Sequence, residues 1–275
     1  AVTFIAVVAH ITGALSYYGH ETDMQCFIGW SENAFNNGIS AFYTSEGFHD
    51  YPPGYVYIMY ILGGIKNLLN MNADTFAVFV KTPAMLADII AGLFVYKFAH
   101  RKFPSALSAS FAFLTMLNPS VILNSSIWGQ VDSILSLLCL LAVYLASEKK
   151  LTSSFFSFAA ALLIKPQALF FAPVLIYAVI EDVWLNGGFS LQKLIKHSLN
   201  ALLAIAAMII LFMPFGQNPL EGITVVFKQY LETVGQYNYM TVNAFNIYGA
   251  IGKNWTELGM TSSIFGYLMI FFVIA

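Results

Sequence analysis

The stretch Thr152–Ile180, TSSFFSFAAALLIKPQALFFAPVLIYAVI, decides the fold. It holds two apolar runs, 152–164 and 167–180, parted by Lys165-Pro166-Gln167. Thirteen residues make about 20 Å of helix, against a bilayer hydrocarbon core of roughly 30 Å. Backbone broken at membrane depth is tolerated only where it is buried in protein or lines a watery cavity. Residues 105–117 repeat the pattern and end at Asn118-Pro119. Further apolar runs cover roughly 55–69, 77–96, 131–147, 199–215 and 258–275, and residues 1–18 form the remainder of a first spanning helix. The expected class is therefore all-α: a polytopic transmembrane bundle with short or broken helices around an outward-facing cavity.

Composition agrees. The chain is 59% hydrophobic and 9% charged, against about 25% charged in a soluble domain. A net charge of −2 gives no reason to expect a nucleic-acid partner. Acids without any Lys or Arg fill the segment from Tyr18 to Pro53, at Glu21, Asp23, Glu32, Glu46 and Asp50. Basic residues gather in three short loops, at Lys97, Arg101 and Lys102, at Lys149 and Lys150, and at Lys193 and Lys196. Positive loops mark the cytoplasmic side, so the acidic segment is expected outside. That orientation holds only if 55–69 enters and returns, or lies along the outer surface, and the Pro52-Pro53 pair suits such a break. Cys26 and Cys139 suggest no disulfide framework. We expect one transmembrane domain over 1–275, trimmed at both ends, with outer loops at 19–54 and 216–256.

Five constellations carry polar chemistry. Glu21-Thr22-Asp23 follows the first helix, where a base for a hydroxyl acceptor would sit, although a solvated loop acid would look the same. Asp50-Tyr51-Pro52-Pro53 marks the re-entry and could equally be a rigid helix start in an aromatic belt. Trp128-Gly129-Gln130-Val131-Asp132 brings an aromatic, an amide and an acid to the mouth of an apolar helix. Such groups are costly in lipid unless they face a cavity or a partner helix. Lys165-Pro166-Gln167 places a cation where a bound phosphate would offset its cost. Lys81 and Asp88 are seven residues apart on one helix face, although Lys81 could instead snorkel. A late amide and aromatic cluster runs from Tyr237 to Asn246 and includes Asn243.

In this order the motifs resemble the GT-C superfamily of integral-membrane glycosyltransferases, which use polyprenyl- or dolichyl-phosphate sugars. Within it the chain is similar to the ER glucosyltransferases that extend the lipid-linked oligosaccharide, and to their bacterial homologues. The resemblance covers about 17–250. Its most specific parts are Asp50-Tyr51-Pro52-Pro53 and Trp128-Gly129-Gln130-Val131-Asp132. It implies that Asp23 is the catalytic base of a single displacement with inversion, moving a hexose (mannose or glucose) from a polyprenyl-phosphate donor to a glycan, lipid or protein hydroxyl. Glu21 and Asp50 would assist the base or position the acceptor. Lys165 and Lys81 would hold the donor phosphate, and Tyr51, Asp88, Trp128, Gln130, Asp132, Gln167 and Asn243 would contribute to binding. The motif Glu21-Thr22-Asp23 is not an uninterrupted acidic pair, which leaves a divalent metal open. The implied partners are the lipid-linked donor, the acceptor and the lipid bilayer. The implied location is the extracytoplasmic face of a bacterial plasma membrane rather than the ER. A transporter or flippase for lipid-linked sugars, or a non-catalytic binding subunit, are the competing classes. The former predicts an inverted repeat, which the sequence does not show.

Overall fold

The computed structural model describes residues 2–236, 238–242 and 246–274. These form helices throughout, with no β-strand among the described residues beyond an isolated bridge between Tyr239 and Glu257. The chain divides into two compact units, Ala1–Val226 and Phe227–Ala275.

In the first unit, α1 (Val2–Ser16) is followed by α2 (Glu21–Asn37), bent 97° from it, and by a 3₁₀ turn, Ile39–Thr44. Then come α3 (Pro53–Leu68), α4 (Ala73–Val80) and α5 (Thr82–Ala99), and α6 (Ser105–Met116) with α7 (Pro119–Ile122). A π-turn over Leu123–Trp128 precedes α8 (Asp132–Ser147) and α9 (Leu151–Ile164). The 3₁₀ turn Pro166–Phe171 leads into α10 (Ala172–Ile180), and α11 (Leu191–Ile210) follows. Helix α12 (Pro219–Gln236) carries the chain from the first unit into the second. Among the described residues four helical stretches are long and apolar enough to cross a membrane, and five if α1 and α2 are one broken span. They are Ala73–Ala99, Ser105–Trp128, Pro166–Leu185 and Leu191–Phe215. This is an all-α bundle of multi-pass membrane type.

Two expectations change. The segment 19–54 is largely helical. Met24, Phe27, Trp30, Ser31 and Ala34 recur every three or four residues and are buried, a single apolar stripe laid against α3. Nor is the run at 105–117 short. The Asn118 side chain accepts from the Ser120 N–H and restarts the helix at Pro119, so the span continues to Trp128. Helix α9 does stop after fourteen residues. Lys165 is extended at φ −153°, ψ 139°, because the following Pro166 disfavours helical backbone before it.

Small residues let the helices approach. The α8–α9 seam packs Cys139, Ala161 and Ala168 together, and it is crossed by two hydroxyl-to-carbonyl bonds. Ser154 donates to Ala142 O at 2.7 Å and Ser157 to Leu138 O at 2.8 Å. Such bonds are the usual cement between helices in lipid, where apolar burial gives little drive.

Ion pairs order one end of this unit. Arg101 pairs with Glu148 at 2.7 Å, Lys149 with Glu181 at 2.8 Å and Lys193 with Asp182 at 3.1 Å. The three basic loops therefore lie at one end of the bundle. Tyr51 and Lys81 both bond to the segment 126–130, so the chain leaves and returns to the same region between them. Between them α3 and α4 leave this region and come back to it, which agrees with the orientation that the charge pattern requires.

In the second unit, Tyr239 faces Trp255 with ring centroids 5.3 Å apart. Asn246 caps α13 (Ile247–Ala250) by accepting from the Gly249 N–H, and α14 (Met260–Ile274) follows.

Helices α2 and α3 approach closely at Gly63. A methyl group on Gly63 would collide with the Ser31 carbonyl oxygen and the Phe35 Cβ. We expect Gly63→Ala to destabilise the protein by about 1–3 kcal/mol, the usual cost of overpacking. Thermal unfolding of the detergent-solubilised protein measures it, with Gly29→Ala, where a methyl meets nothing within 4 Å, as the control that keeps the helix-propensity gain without the clash.

Candidate active site

Four chain segments meet at the end of the bundle opposite the basic loops. The first is the start of α2. His20 is its N-cap, with φ −70° and ψ 118°, and Asp23 lies in the first turn, where the helix dipole favours a negative charge. The second is the end of the π-turn. Gly129 adopts φ 93°, a left-handed conformation open to glycine, and this turns Trp128 and Gln130 toward Asp23. Trp128 Nε1 donates to Asp23 Oδ2 at 2.7 Å, and Gln130 Nε2 donates to the same oxygen at 2.6 Å. Among the described residues no side chain donates to Oδ1. The Asp23 side chain is 28% exposed, so a hydroxyl can reach it from outside.

Tyr51 and Lys165 complete the cluster from the far side of Gln130. Both donate to Gln130 Oε1, at 3.1 Å and 3.3 Å. The Lys165 ammonium also lies 5.3 Å from the centre of the Tyr51 ring and 2.6 Å from Asp132 Oδ1. One neutral amide therefore links the acid at Asp23 to the cation at Lys165. Asp132, at the first position of α8, accepts a bond from Asn124 Nδ2 at 3.2 Å on its other oxygen.

An aromatic wall supports this arrangement. Tyr51 packs among Phe27, Trp30 and Tyr55 at 5.3, 5.6 and 5.4 Å. Burial, reinforced by the neighbouring Tyr55 and carboxylates, holds the Tyr51 hydroxyl well above its ordinary pKa, so it stays a neutral donor. Asp50 sits beside it. Burial pushes its carboxyl up, while Lys165 pulls it back down and Asp23 adds a smaller push upward.

Not every residue singled out in the sequence joins the cluster. Glu21 is two residues from Asp23, roughly 200° around the helix, and accepts from Gln25 on an exposed face. Gln167 is exposed at the start of the 3₁₀ turn. Lys81 is only 1% exposed, and its ammonium is surrounded by backbone carbonyls. Asp88 is buried beside His10 at 3.9 Å, with Ser125 and Ser133 next to its carboxyl. Lys81 stands between α4 and α5, and both it and Asp88 face α1 and the π-turn: Lys81 donates to Ser126 O, and His10 beside Asp88 bonds to Ser126 Oγ. Asn243 lies outside the described residues. Among the described residues no three His, Cys, Asp or Glu side chains are grouped to hold a metal ion.

Two residues enter that the motifs did not point to. The His20 ring stacks on Trp128, 4.9 Å between centroids at 15°, with its Nδ1 3.5 Å from Asp23 Oδ2. Asn124 receives the backbone N–H groups of Gly129 and Gln130 on its carbonyl oxygen, closing the π-turn. Neither stands in a periodic pattern. The helix bend and the π-turn that recruit them are set by tertiary packing.

A multi-pass helical bundle with a fixed carboxylate, a cation and an exposed tryptophan at one end has the form of a membrane protein with a polar site at that end. A family comparison identifies it further: the chain belongs to the ALG6, ALG8 glycosyltransferase family, whose model matches residues 15–232. No individual curated protein matched. The protein is a glycosyltransferase, and every residue of the cluster falls inside the matched region.

The raised carboxyl of Asp50 has a measurable consequence. A carboxyl whose pKa is higher folded than unfolded stabilises the fold below about pH 4, and that contribution is lost as pH rises through the folded value. Thermal unfolding followed from pH 4 to pH 7 should show a loss of stability with rising pH that is smaller in Asp50→Asn. An identical pH slope in the two proteins would remove this account of Asp50.

Proposed function

We propose that the chain transfers a hexose from a polyprenyl-phosphate donor to a hydroxyl of a glycan, lipid or protein, at the extracytoplasmic face of a bacterial plasma membrane. The observation that carries this reading is the pinned carboxylate. Two donors fix Oδ2 of Asp23 and leave Oδ1 available to an incoming hydroxyl, while Gln130 ties that carboxylate to the Lys165 cation.

The step is a single displacement. Asp23 takes the proton of the acceptor hydroxyl as its oxygen attacks the anomeric carbon. The bond from that carbon to the phosphate oxygen breaks, and its electron pair leaves on the polyprenyl phosphate. Configuration inverts. A positioned general base is typically worth about 10²–10⁴-fold in rate. Lys165 stabilises the charge that grows on the leaving phosphate. To bind it, Lys165 exchanges Asp132, whose side chain is 44% exposed, for phosphate oxygen.

An apolar groove suits the lipid part of such a donor. Helices α9, α10 and α11 enclose an apolar groove of about 510 Å³ lined by Phe158, Leu162, Leu175, Val179, Ala201 and Ile205. Leu162 is three residues before Lys165, so a phosphate on that cation would lead its isoprenoid tail into the groove. The outward orientation rests on the positive-inside rule applied to the three basic loops. The half-exposed face of Trp128 suits a sugar ring beside the carboxylate.

The test uses the full-length protein in detergent, a panel of labelled polyprenyl-phosphate mannose and glucose donors, and a membrane lipid extract as acceptor. Asp23→Asn is expected to lower kcat by at least about 10²-fold with the donor still bound. Lys165→Met is expected to raise the donor KM about tenfold or more, since it removes a charge-assisted phosphate contact. No transfer from any donor by the wild type would favour a transporter or binding subunit. Full activity in Asp23→Asn would remove the base assignment.

A further inference from the structure

Lys81 is the most deeply buried cation among the described residues, and the transfer step above gives it no task. Its side chain reaches the point where two helices end. Helix α1 stops at Ser16, and the π-turn stops at Trp128. The ammonium donates to Tyr17 O at 2.7 Å and Ser126 O at 3.0 Å, with longer contacts to Ile127 O at 3.4 Å and Ala14 O at 3.5 Å. All four are carbonyls at helix C-terminal ends. These have no partner within their own helix and carry the negative end of the helix dipole.

The two strands of chain so joined are the ones that deliver the site. Three residues beyond Tyr17 is His20, and six beyond it is Asp23; Trp128 follows directly on Ile127, and Gln130 is three residues beyond it. A backbone bond from His20 N to Trp128 O at 3.0 Å crosses the same gap. Space around the junction is closed. A methyl on Gly19, at φ 116°, would strike the Trp128 carbonyl at 2.6 Å, and one on Gly129 would strike the Met24 sulfur. Lys81 itself lies at the break between α4 and α5, where a long side chain can leave the helix axis toward a neighbour.

Resting on the transferase reading for its kinetic part, we propose that Lys81 is a positioning residue. Its ammonium staples the carbonyl ends of α1 and the π-turn together and thereby fixes the Asp23 carboxylate against its donors Trp128 and Gln130. It does not touch the donor phosphate. Three hydrogen-bonding protons directed at carbonyls from both segments hold them in one geometry. An apolar residue in its place leaves the carbonyls to repel one another, and the two strands separate. Placement errors of about 1 Å at a reacting group cost on the order of 10²-fold in rate.

The experiment compares wild type, Lys81→Met, Lys81→Arg, Asp23→Asn and the Lys81→Met/Asp23→Asn double variant, each normalised to folded protein. For Lys81→Met the expected result is a kcat lowered about 10²-fold with a donor KM within twofold of wild type. The double variant should be no slower than Asp23→Asn alone. Losses that multiply would mean that Lys81 does not act through Asp23, and a raised donor KM with kcat kept would make it a phosphate ligand; either overturns the proposal. Amide hydrogen exchange supplies a readout independent of turnover. Lys81→Met should expose peptides covering 17–24 and 124–131, the His20 N–H among them, while the α8–α9 seam keeps wild-type protection. Uniform loss of protection, or none, overturns the staple. If Lys81→Met is not recovered folded, Lys81→Arg decides. It keeps the charge but not the fit, so a lowered kcat at constant donor KM supports the proposal and wild-type kinetics overturn it. Should the wild type transfer nothing, the exchange data still judge the staple, and the failure belongs to the transferase reading alone.

Discussion

A helix that stops inside a membrane protein leaves carbonyl oxygens that lipid cannot satisfy, and much of this structure follows from how that debt is met. Around the site α1 ends, the π-turn ends and α9 ends, within reach of one another. Water could satisfy such carbonyls only by flooding the bundle. Here a buried cation serves two of the ends, and a left-handed glycine together with the Asn124 carbonyl closes the π-turn. Once the ends are fixed in this way, the residues that follow them are fixed too. Those residues are His20, Asp23, Trp128, Gln130 and Lys165. The cluster is thus a product of helix termination, and the broken helices that look like defects in an apolar pattern are what bring polar groups to one place.

The opposite end of the bundle solves a different problem. Its loops are rich in cations, but most of the acids there are matched to them: Arg101 with Glu148, Lys149 with Glu181, and both Lys193 and His197 with Asp182. Exposed pairs of this kind are worth at most about 1 kcal/mol each. Their importance lies in joining consecutive loops, which keeps α8, α9, α10 and α11 in register along the hydroxyl and small-residue seams between them. The site end carries partnered charges as well, but its links run through a shared amide and an aromatic wall, and Asp132 and Trp128 remain open to the surface.

Much of this was legible in the sequence, because the physics involved is local. Apolar runs predict spans from transfer energies alone, and a proline after Lys165 ends a helix wherever it occurs. Asp23, Tyr51, Gln130, Asp132 and Lys165 each stood out as a polar residue at the edge of an apolar run, and the structure brings all five together. The failures share a cause. Helix α2 was read as loop because its polar face is rich in acids and amides, and its stripe of Met24, Phe27, Trp30 and Ala34 gains meaning only against α3. Asn118-Pro119 has the local marks of an interruption, yet it restarts a helix, and the helical stretch continues to Trp128. In each case a neighbouring element decided the outcome, and a neighbour cannot be read from spacing.

The choice of a glutamine at the centre of the site has a physical reason. If Lys165 met Asp23 directly, the two charges would neutralise each other in a region of low dielectric, where opposite charges attract far more strongly than in water. Such a pair would have to be broken before either partner could serve a substrate. The Gln130 amide satisfies both at once, donating to the carboxylate and accepting from the ammonium, and keeps them apart by its own length. Lys165 instead takes its ionic partner from Asp132, whose side chain is open to the surface on its own side of the pair. An anion arriving from outside therefore competes with Asp132 and leaves Asp23 undisturbed. A direct pair would have tied the cation to the Asp23 carboxylate; the amide allows each to change partners alone.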